Sequence, residues 1–404
     1  MPSLEELTGR QKAASDITSK HVRVRYNEAT SVSGGLGKKI ILRFPKLAGQ
    51  FLDLSSITLH MSVSTSGDSV FDAYHYSSVF SRVRVLSSSQ TIMDVDHFGE
   101  IATTIAQSET KVTETTASRR MQGLFASAGE ATSEATASRR ACISFPKGCF
   151  LNCSGLLPVS RLNGMLTVEF YLQDPNYVLY FPDGTAGLNY FLSDIQIHCN
   201  YLSSPSLEQY YSSNPVNLHV DSYHHRFQNL TGANSILRVP SAFNSLSRII
   251  IALRDQSRVT AGIATQQKAQ SFIPFTNLSS LQWFVANEPF YPEPIQGERL
   301  ETELYRETVR ALPAIAESVY QTDPRADKLQ FGSVPIAVNF DSAPTKFREA
   351  ISSGIKSKSH VSDLYAQVIY SGGVATANFA ADCFLVANSR IYFDVSTGAL
   401  NIEH

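Results

Sequence analysis

The feature that most restricts the fold of this chain is that one strand-rich pattern is written twice. Ile41-Leu42-Arg43-Phe44-Pro45 recurs as Ile236-Leu237-Arg238-Val239-Pro240, at an offset of 195 residues. Five residues alone would match by chance in a chain of 404, so the weight lies in the order of the elements beyond each match. Each copy runs into a Leu-Ser pair (Leu54-Ser55, then Leu246-Ser247) and then an apolar strand (Ile57–Val63, then Ile249–Leu253). Each later carries one helix, near His97 and near Glu298, and each closes on a long strand, Phe191–Leu202 or Phe384–Val395. Two collinear copies fit this order better than one large sheet system.

Within the copies the hydrophobic period is two. Val22, Val24 and Tyr26 alternate with His21, Arg23 and Arg25, and Ile57, Leu59, Met61 and Val63 alternate with Ser56, Thr58, His60 and Ser62. Val79–Leu86, Met165–Leu172, Val216–Phe227, Val334–Phe340 and Leu364–Tyr370 read the same way, as half-buried strands. Helical spacing is confined to three places: residues 3–20 (Leu4, Leu7, Ala14, Ile17), His97–Gln107 (Phe98, Ile101, Ile105) and Glu298–Leu312 (Leu300, Leu304, Leu312). About one helix per copy is too few for a parallel α/β sheet. The pattern predicts an all-β chain of two tandem eight-stranded jelly rolls, a double jelly roll, with a short N-terminal helix. The expected domains are an N-terminal helix or arm at 1–20, a first roll at 21–203 and a second roll at 204–404. Ala-, Ser- and Thr-rich residues 108–141 and residues 254–287 read as excursions, and Ser/Pro-rich 203–216 as a linker.

Composition then limits the functions. Charged residues make up 17% of the chain, against about 25% in ordinary soluble proteins. The surface is therefore built largely from uncharged polar groups or is covered by neighbours. The net charge of −2 and the mixed charges of Met1–Lys20 exclude the basic footprint of a dedicated nucleic-acid binder. No apolar run is long enough to span a bilayer, and Met1–Lys20 lacks the pattern of a secretory signal. Five cysteines, Cys142, Cys149, Cys153, Cys199 and Cys383, are an odd set that makes no disulfide framework.

The chemical motifs are negative. Gly34-Gly35-Leu36-Gly37 lacks phosphate-loop spacing, and no nucleophile elbow is present. Cys149 and Cys153 have no second pair at metal spacing. His224 and His225 are consecutive in a strand and point to opposite faces. Asp94 and Asp96 read as caps for the helix near His97. Glu169 has no carboxylate partner for glycoside hydrolysis and reads as an outward strand residue. The repeated Thr-Ala-Ser-Arg-Arg at 116–120 and 136–140 reads as exposed loop. The expected catalytic, cofactor-binding and metal residues are none, no cofactor is expected, and the chain is not expected to be an enzyme.

Several segments together resemble the double jelly-roll major capsid proteins of icosahedral double-stranded DNA viruses. They are Ile40–Pro45 with Gly49–Leu54 and Ile57–Leu59, Val79–Leu86 running into Met93–Asp96 and a helix, Leu157–Val159 with Gly164–Glu169, and Leu192–Ile197. That lineage spans tailless phages, virophages, polinton-like elements and adenoviruses. The resemblance covers most of residues 1–202 and, more weakly, 203–404, with Ser257–Gln282 departing from the pattern. It implies two fused rolls, homotrimers of pseudo-hexameric outline, and a virion shell made with neighbouring capsomers, penton and minor capsid proteins. No sequence-specific nucleic acid is implied, and an internal membrane is not indicated. The alternative is a carbohydrate- or receptor-binding β-sandwich of the fibre or lectin kind, with Tyr210-Tyr211 and Phe290-Tyr291 as its candidate aromatics.

Overall fold

The computed structural model describes residues 17–66, 70–71, 75–88, 90–109, 139–180, 189–214, 216–255, 278–296, 300–312, 336–341, 354–357, 364–370, 379–394 and 396–403. The first roll runs β1 (Thr18–Arg25), β2 (Ser31–Ser33), β3 (Lys39–Arg43), β4 (Phe51–Thr65), β5 (Val70–Phe71), β6 (Phe80–Ser87), β7 (Gln90–Asp96) and helix α1 (Phe98–Glu109). It continues through β8 (Arg139–Ser144), β9 (Leu156–Leu157), β10 (Leu166–Leu172), helix α2 (Pro175–Val178), β11 (Leu179–Tyr180) and β12 (Tyr190–Ser203). Helix α3 (Pro205–Ser213) leads to the second roll: β13 (Val216–Leu230), β14 (Asn234–Arg238), β15 (Leu246–Asp255), β16 (Leu278–Val285), β17 (Glu288–Pro289) and β18 (Ile295–Gln296). Helix α4 (Leu300–Ala311), β19 (Ile336–Asn339), β20 (Leu364–Tyr370), β21 (Phe379–Asp394) and β22 (Ala399–Glu403) complete it.

The two rolls share one topology. In the first, the sheets are ordered β1-β12-β4-β8 and β3-β10-β6-β7; in the second, β13-β21-β15-β19 and β14-β20-β16-β17. Strand for strand, and with one helix at the same place in each, the second half repeats the first. Every pairing within these sheets is antiparallel. The inward residues of β4 (Ile57, Leu59, Met61, Val63) and of β10 (Leu166, Val168, Phe170, Leu172) are at most 1% exposed and lie in one cluster. Each such side chain contributes about 1.5–3 kcal/mol of burial.

The alternation fails in β15 and β21, and the failure is informative. Ile249, Ile251 and Leu253 enter the second core, while Ile250 and Ala252 enter the first. On β21, Ala381, Cys383 and Leu385 face the second core, while Phe384 and Val386 face the first. Strands buried on both faces read as continuous apolar runs. The sheet β13-β21-β15-β19 is therefore shared: one face lines its own roll and the other is covered by the neighbouring roll.

Several expectations need correction. Residues 1–16, which carry most of the expected N-terminal helix, lie outside the described residues, but Thr18–Lys20 are strand, paired with Ser203–Tyr201. The segment 203–216 is not a loose linker: Ser204 caps α3, its side chain accepting from Ser206 N at 3.2 Å, and Pro205 occupies the first turn. Both excursions are shorter than expected. Arg139–Ala141 belong to β8, and Arg254–Asp255 to β15. Leu278–Val285 form β16, anchored by fully buried Trp283. The intervening 110–138 and 256–277 lie outside the described residues.

Candidate functional site: the joint between the rolls and the outer sheet faces

The rolls meet where β13, β15 and β21 of the second pack on β7, α1 and α2 of the first. At the centre is Asp382, fully buried, which accepts from Arg254 Nε at 2.5 Å and from His225 Nε2 at 2.6 Å. The guanidinium of Arg254, 2% exposed, also donates to the Tyr177 hydroxyl and lies over its ring. His225 stacks on His97 with ring centroids 3.9 Å apart, and His97 Nδ1 is 3.3 Å from Glu100 Oε1. Three residues from each roll thus form one polar chain, buried except at His97, whose side chain is 35% exposed. Burial opposes the charge on Asp382, but Arg254 and His225 outweigh it and hold its carboxyl below the usual range. Glu100 is likewise depressed: burial raises it, and the hydrogen bond and charge of His97 overcome that. Burial lowers His97, but Glu100 more than compensates and its imidazole is raised.

Around this centre the joint is held by close backbone approach. Asp221 N donates to Gly148 O at 2.7 Å, and Gly148 is in the left-handed region at φ +84°. A Cβ there would lie 2.6 Å from Asp221 Oδ2, so only glycine fits. Asp221 in turn accepts from Arg248 at 2.7 Å, and Arg248 donates to Ala311 O at 3.0 Å. Tyr223 donates to Lys147 O at 3.0 Å, and Asn163 N donates to Gly398 O at 2.8 Å.

None of the joint residues was nominated as a site from sequence, although a signal existed. Arg254 ends the run Ile249–Leu253, and Asp382 interrupts Phe379–Val386. A charge set in a run buried on both faces needs a partner. The consecutive pair His224-His225 does split as its strand position requires: His225 enters the joint and His224 packs on Phe243.

The other faces carry the remaining candidates. On the outer face of β3-β10-β6-β7, Glu169 accepts from Lys39 at 2.9 Å and from the Tyr171 hydroxyl at 2.8 Å. Glu169 does face outward, but its neighbours screen it to 7% exposure. Asp94 is not a helix cap: it sits in β7 and accepts from Arg82 at 2.6 and 2.5 Å. Arg140, expected in an exposed loop, is an exposed residue of β8 and pairs with Asp194. On the outer face of β1-β12-β4-β8, His60 and His198 stack at 3.8 Å, His21 lies edge-on to His198, and Cys142 Sγ is 3.3 Å from His60 Nε2. Burial, then the neighbouring cations, push His198 down to about 4 and lower His60 as well. Among the described residues no group of three His, Cys, Asp or Glu side chains is placed to hold a metal ion. Cys149 and Cys153 are buried free thiols, both raised by burial, Cys153 to about 12. Of the four aromatics considered for glycan binding, only Tyr210 is exposed; Tyr211 packs on Phe51 and Phe290 on Phe340.

No protein-family model matches the sequence, and no curated protein matches it in sequence. The fold does have counterparts. PBCV-1 VP54, fitted into a reconstruction of the virophage Sputnik, matches with a TM-score of 0.63 at 10% identity, over 96% of this chain and 97% of that one. The PBCV-1 virus capsid model matches at 0.64 and 11% identity, with the same coverage. The Faustovirus major capsid protein matches at 0.58 and 9% identity, over 93% of this chain and 90% of that one. From end to end of its described sheets, this chain has the double jelly-roll fold of viral capsid proteins.

Proposed function

We propose that the chain is the major structural protein of an icosahedral virion shell, three copies forming a pseudo-hexameric capsomer and capsomers tiling the shell. The observation that carries this reading is the duplication: two rolls of one topology, locked side by side in one chain. Three such chains present six similar units, which suits hexagonal packing. The low charge content agrees with a surface largely covered by neighbours, because interface cores are depleted in charge. The similarity in fold to viral capsid proteins supports the same role. The partners are other copies of the chain, neighbouring capsomers, and the penton and minor capsid proteins that close the vertices. This role needs no catalytic centre and no cofactor.

The test is size-exclusion chromatography with light scattering, followed by negative-stain microscopy. The expected result is a particle of three times the 44.4 kDa chain mass, hexagonal in projection, which forms sheets or shells as concentration rises. A species that stays monomeric at every concentration and binds immobilised glycan would overturn the reading in favour of a carbohydrate-binding sandwich.

A further inference from the structure

The polar chain across the joint is one charge out of balance. Glu100 and Asp382 bring two negative charges and Arg254 one positive charge, on side chains that are 1%, 0% and 2% exposed. Burial penalises a charge that has no counter-ion. Two imidazoles stand between the carboxylates. His97 Nδ1 lies 3.3 Å from Glu100 Oε1, His225 Nε2 lies 2.6 Å from Asp382 Oδ1, and the rings stack with centroids 3.9 Å apart. One proton on this pair of rings brings the chain of groups to neutrality. A second proton would set two like charges face to face. With no proton, a negative charge stays buried and uncancelled, and Glu100 Oε2 has no hydrogen-bond partner among the described residues to spread it.

The proton also has a route to solvent. His225 is 8% exposed, but the side chain of His97 is 35% exposed. The backbone of His97 is left-handed, φ +53°, where β7 turns into α1, and its ring reaches across to the second roll. The charged and titratable groups around the two rings are Asp96 of β7, Glu100 of α1, Tyr177 of α2, Arg254 of β15 and Asp382 of β21. Burial keeps the Tyr177 phenol neutral, and the two buried carboxyls are held below their ordinary range. Among these groups only the imidazoles change charge near neutral pH. Burial lowers His97, but Glu100, then Asp382 and Asp96, outweigh it, so the ring keeps its proton above the ordinary histidine value.

We propose that the joint is a proton-operated latch: one proton on the stacked His97–His225 pair locks the first roll to the second, and its loss through His97 releases them. The latch is closed below the ordinary histidine value of about 6.5 and opens as pH rises through the higher folded value of His97. Opening parts the rolls where His225 packs beside Phe384, which is otherwise fully buried, and leaves each roll folded. The latch lies inside one chain, so it does not depend on the reading of the chain as a shell subunit.

The test is hydroxyl-radical footprinting of the full chain from about pH 6 to about pH 9, a range that passes upward through the ordinary histidine value of about 6.5. Phe384 reports the joint, and fully buried Trp283, in the second roll's own core, reports the fold of that roll. In the wild type the oxidation of Phe384 is expected to rise with pH while Trp283 stays protected. Glu100→Gln removes the unbalanced charge and with it the need for the proton, so in this variant Phe384 is expected to stay protected across the whole range. A wild type whose Phe384 oxidation is the same at both ends of the range overturns the latch. So does a wild type in which Trp283 oxidises in step with Phe384, because the whole roll would then be unfolding. A Glu100→Gln variant that responds as the wild type does, or is already oxidised at Phe384 at the lower pH, also overturns it: Glu100 would then be a strut and not the partner of the proton.

Discussion

Replacing Asp382 with Asn probes the joint most directly. The side chain keeps its shape but loses its charge, leaving the Arg254 guanidinium, 2% exposed, without its counter-ion. Two unit charges about 4 Å apart interact by about 4 kcal/mol at an effective dielectric near 20. The new amide also turns a donor toward either Arg254 Nε or His225 Nε2, both of which now donate to Asp382. Breaking a buried pair from one side costs about 3–5 kcal/mol. For a cooperative unit of this size each kcal/mol moves the melting temperature by about 2–4 °C, so differential scanning calorimetry should show a loss of roughly 6–20 °C. The double variant Arg254→Met with Asp382→Leu removes both charges and should recover at least half of that loss, since apolar replacements of buried pairs are often close to neutral. A single variant that melts within about 2 °C of wild type would refute the argument. So would a double variant as damaged as the single, because the loss would then be one of packing.

Three further outcomes rest on the same geometry. Gly148→Ala places a Cβ against Asp221 at a positive φ and should cost about 1–3 kcal/mol in urea unfolding; an unchanged midpoint would mean that the close approach is not a constraint. Ser204→Ala removes the cap of α3 and should cost about 1 kcal/mol, seen as a small drop in the same midpoint. For pH, the depressed carboxyls of Glu100 and Asp382 contribute stability above the ordinary carboxylate range of about 4, lost as pH falls through their lower folded values. The raised His97 contributes below its unfolded value near 6.5 and loses that contribution as pH rises through its folded value. His198, depressed to about 4, acts the other way: the unfolded chain takes the proton first, so stability falls from pH 6.5 towards 4. Thermal melts across pH 7 to 3 should show that fall in the wild type and a shallower one in His198→Gln, and equal slopes would exclude the histidine as its source.

Much of the fold was legible because burial on one face of a strand leaves a period-two signature. Leu364–Tyr370 was read with its observed limits, and Val79–Leu86 lies one residue from Phe80–Ser87. What failed did so for local reasons. Ser203–Val216 reads as a linker by composition, yet one Ser cap and a Pro in the first turn suffice for a nine-residue helix. Asp94 and Asp96 read as caps because they precede a helix, but β7 extends to Asp96 and cross-strand pairing with Arg82 takes Asp94. The charges of Arg254 and Asp382 stand out in their apolar runs, but their partners do not, because His97, Glu100 and Tyr177 lie in one roll, and His225, Arg254 and Asp382 in the other.

By itself, then, the order of apolar and polar residues determined that this chain folds as two like sandwiches, because each strand writes its buried face into its own sequence. The contrast between Ser56–Ser64, alternating, and Ile249–Leu253, unbroken, even recorded which sheet is covered twice. Only the tertiary structure decided what covers it and how Asp382 is neutralised. Those depend on residues far apart along the chain meeting across a contact, and no local period carries the identity of a partner.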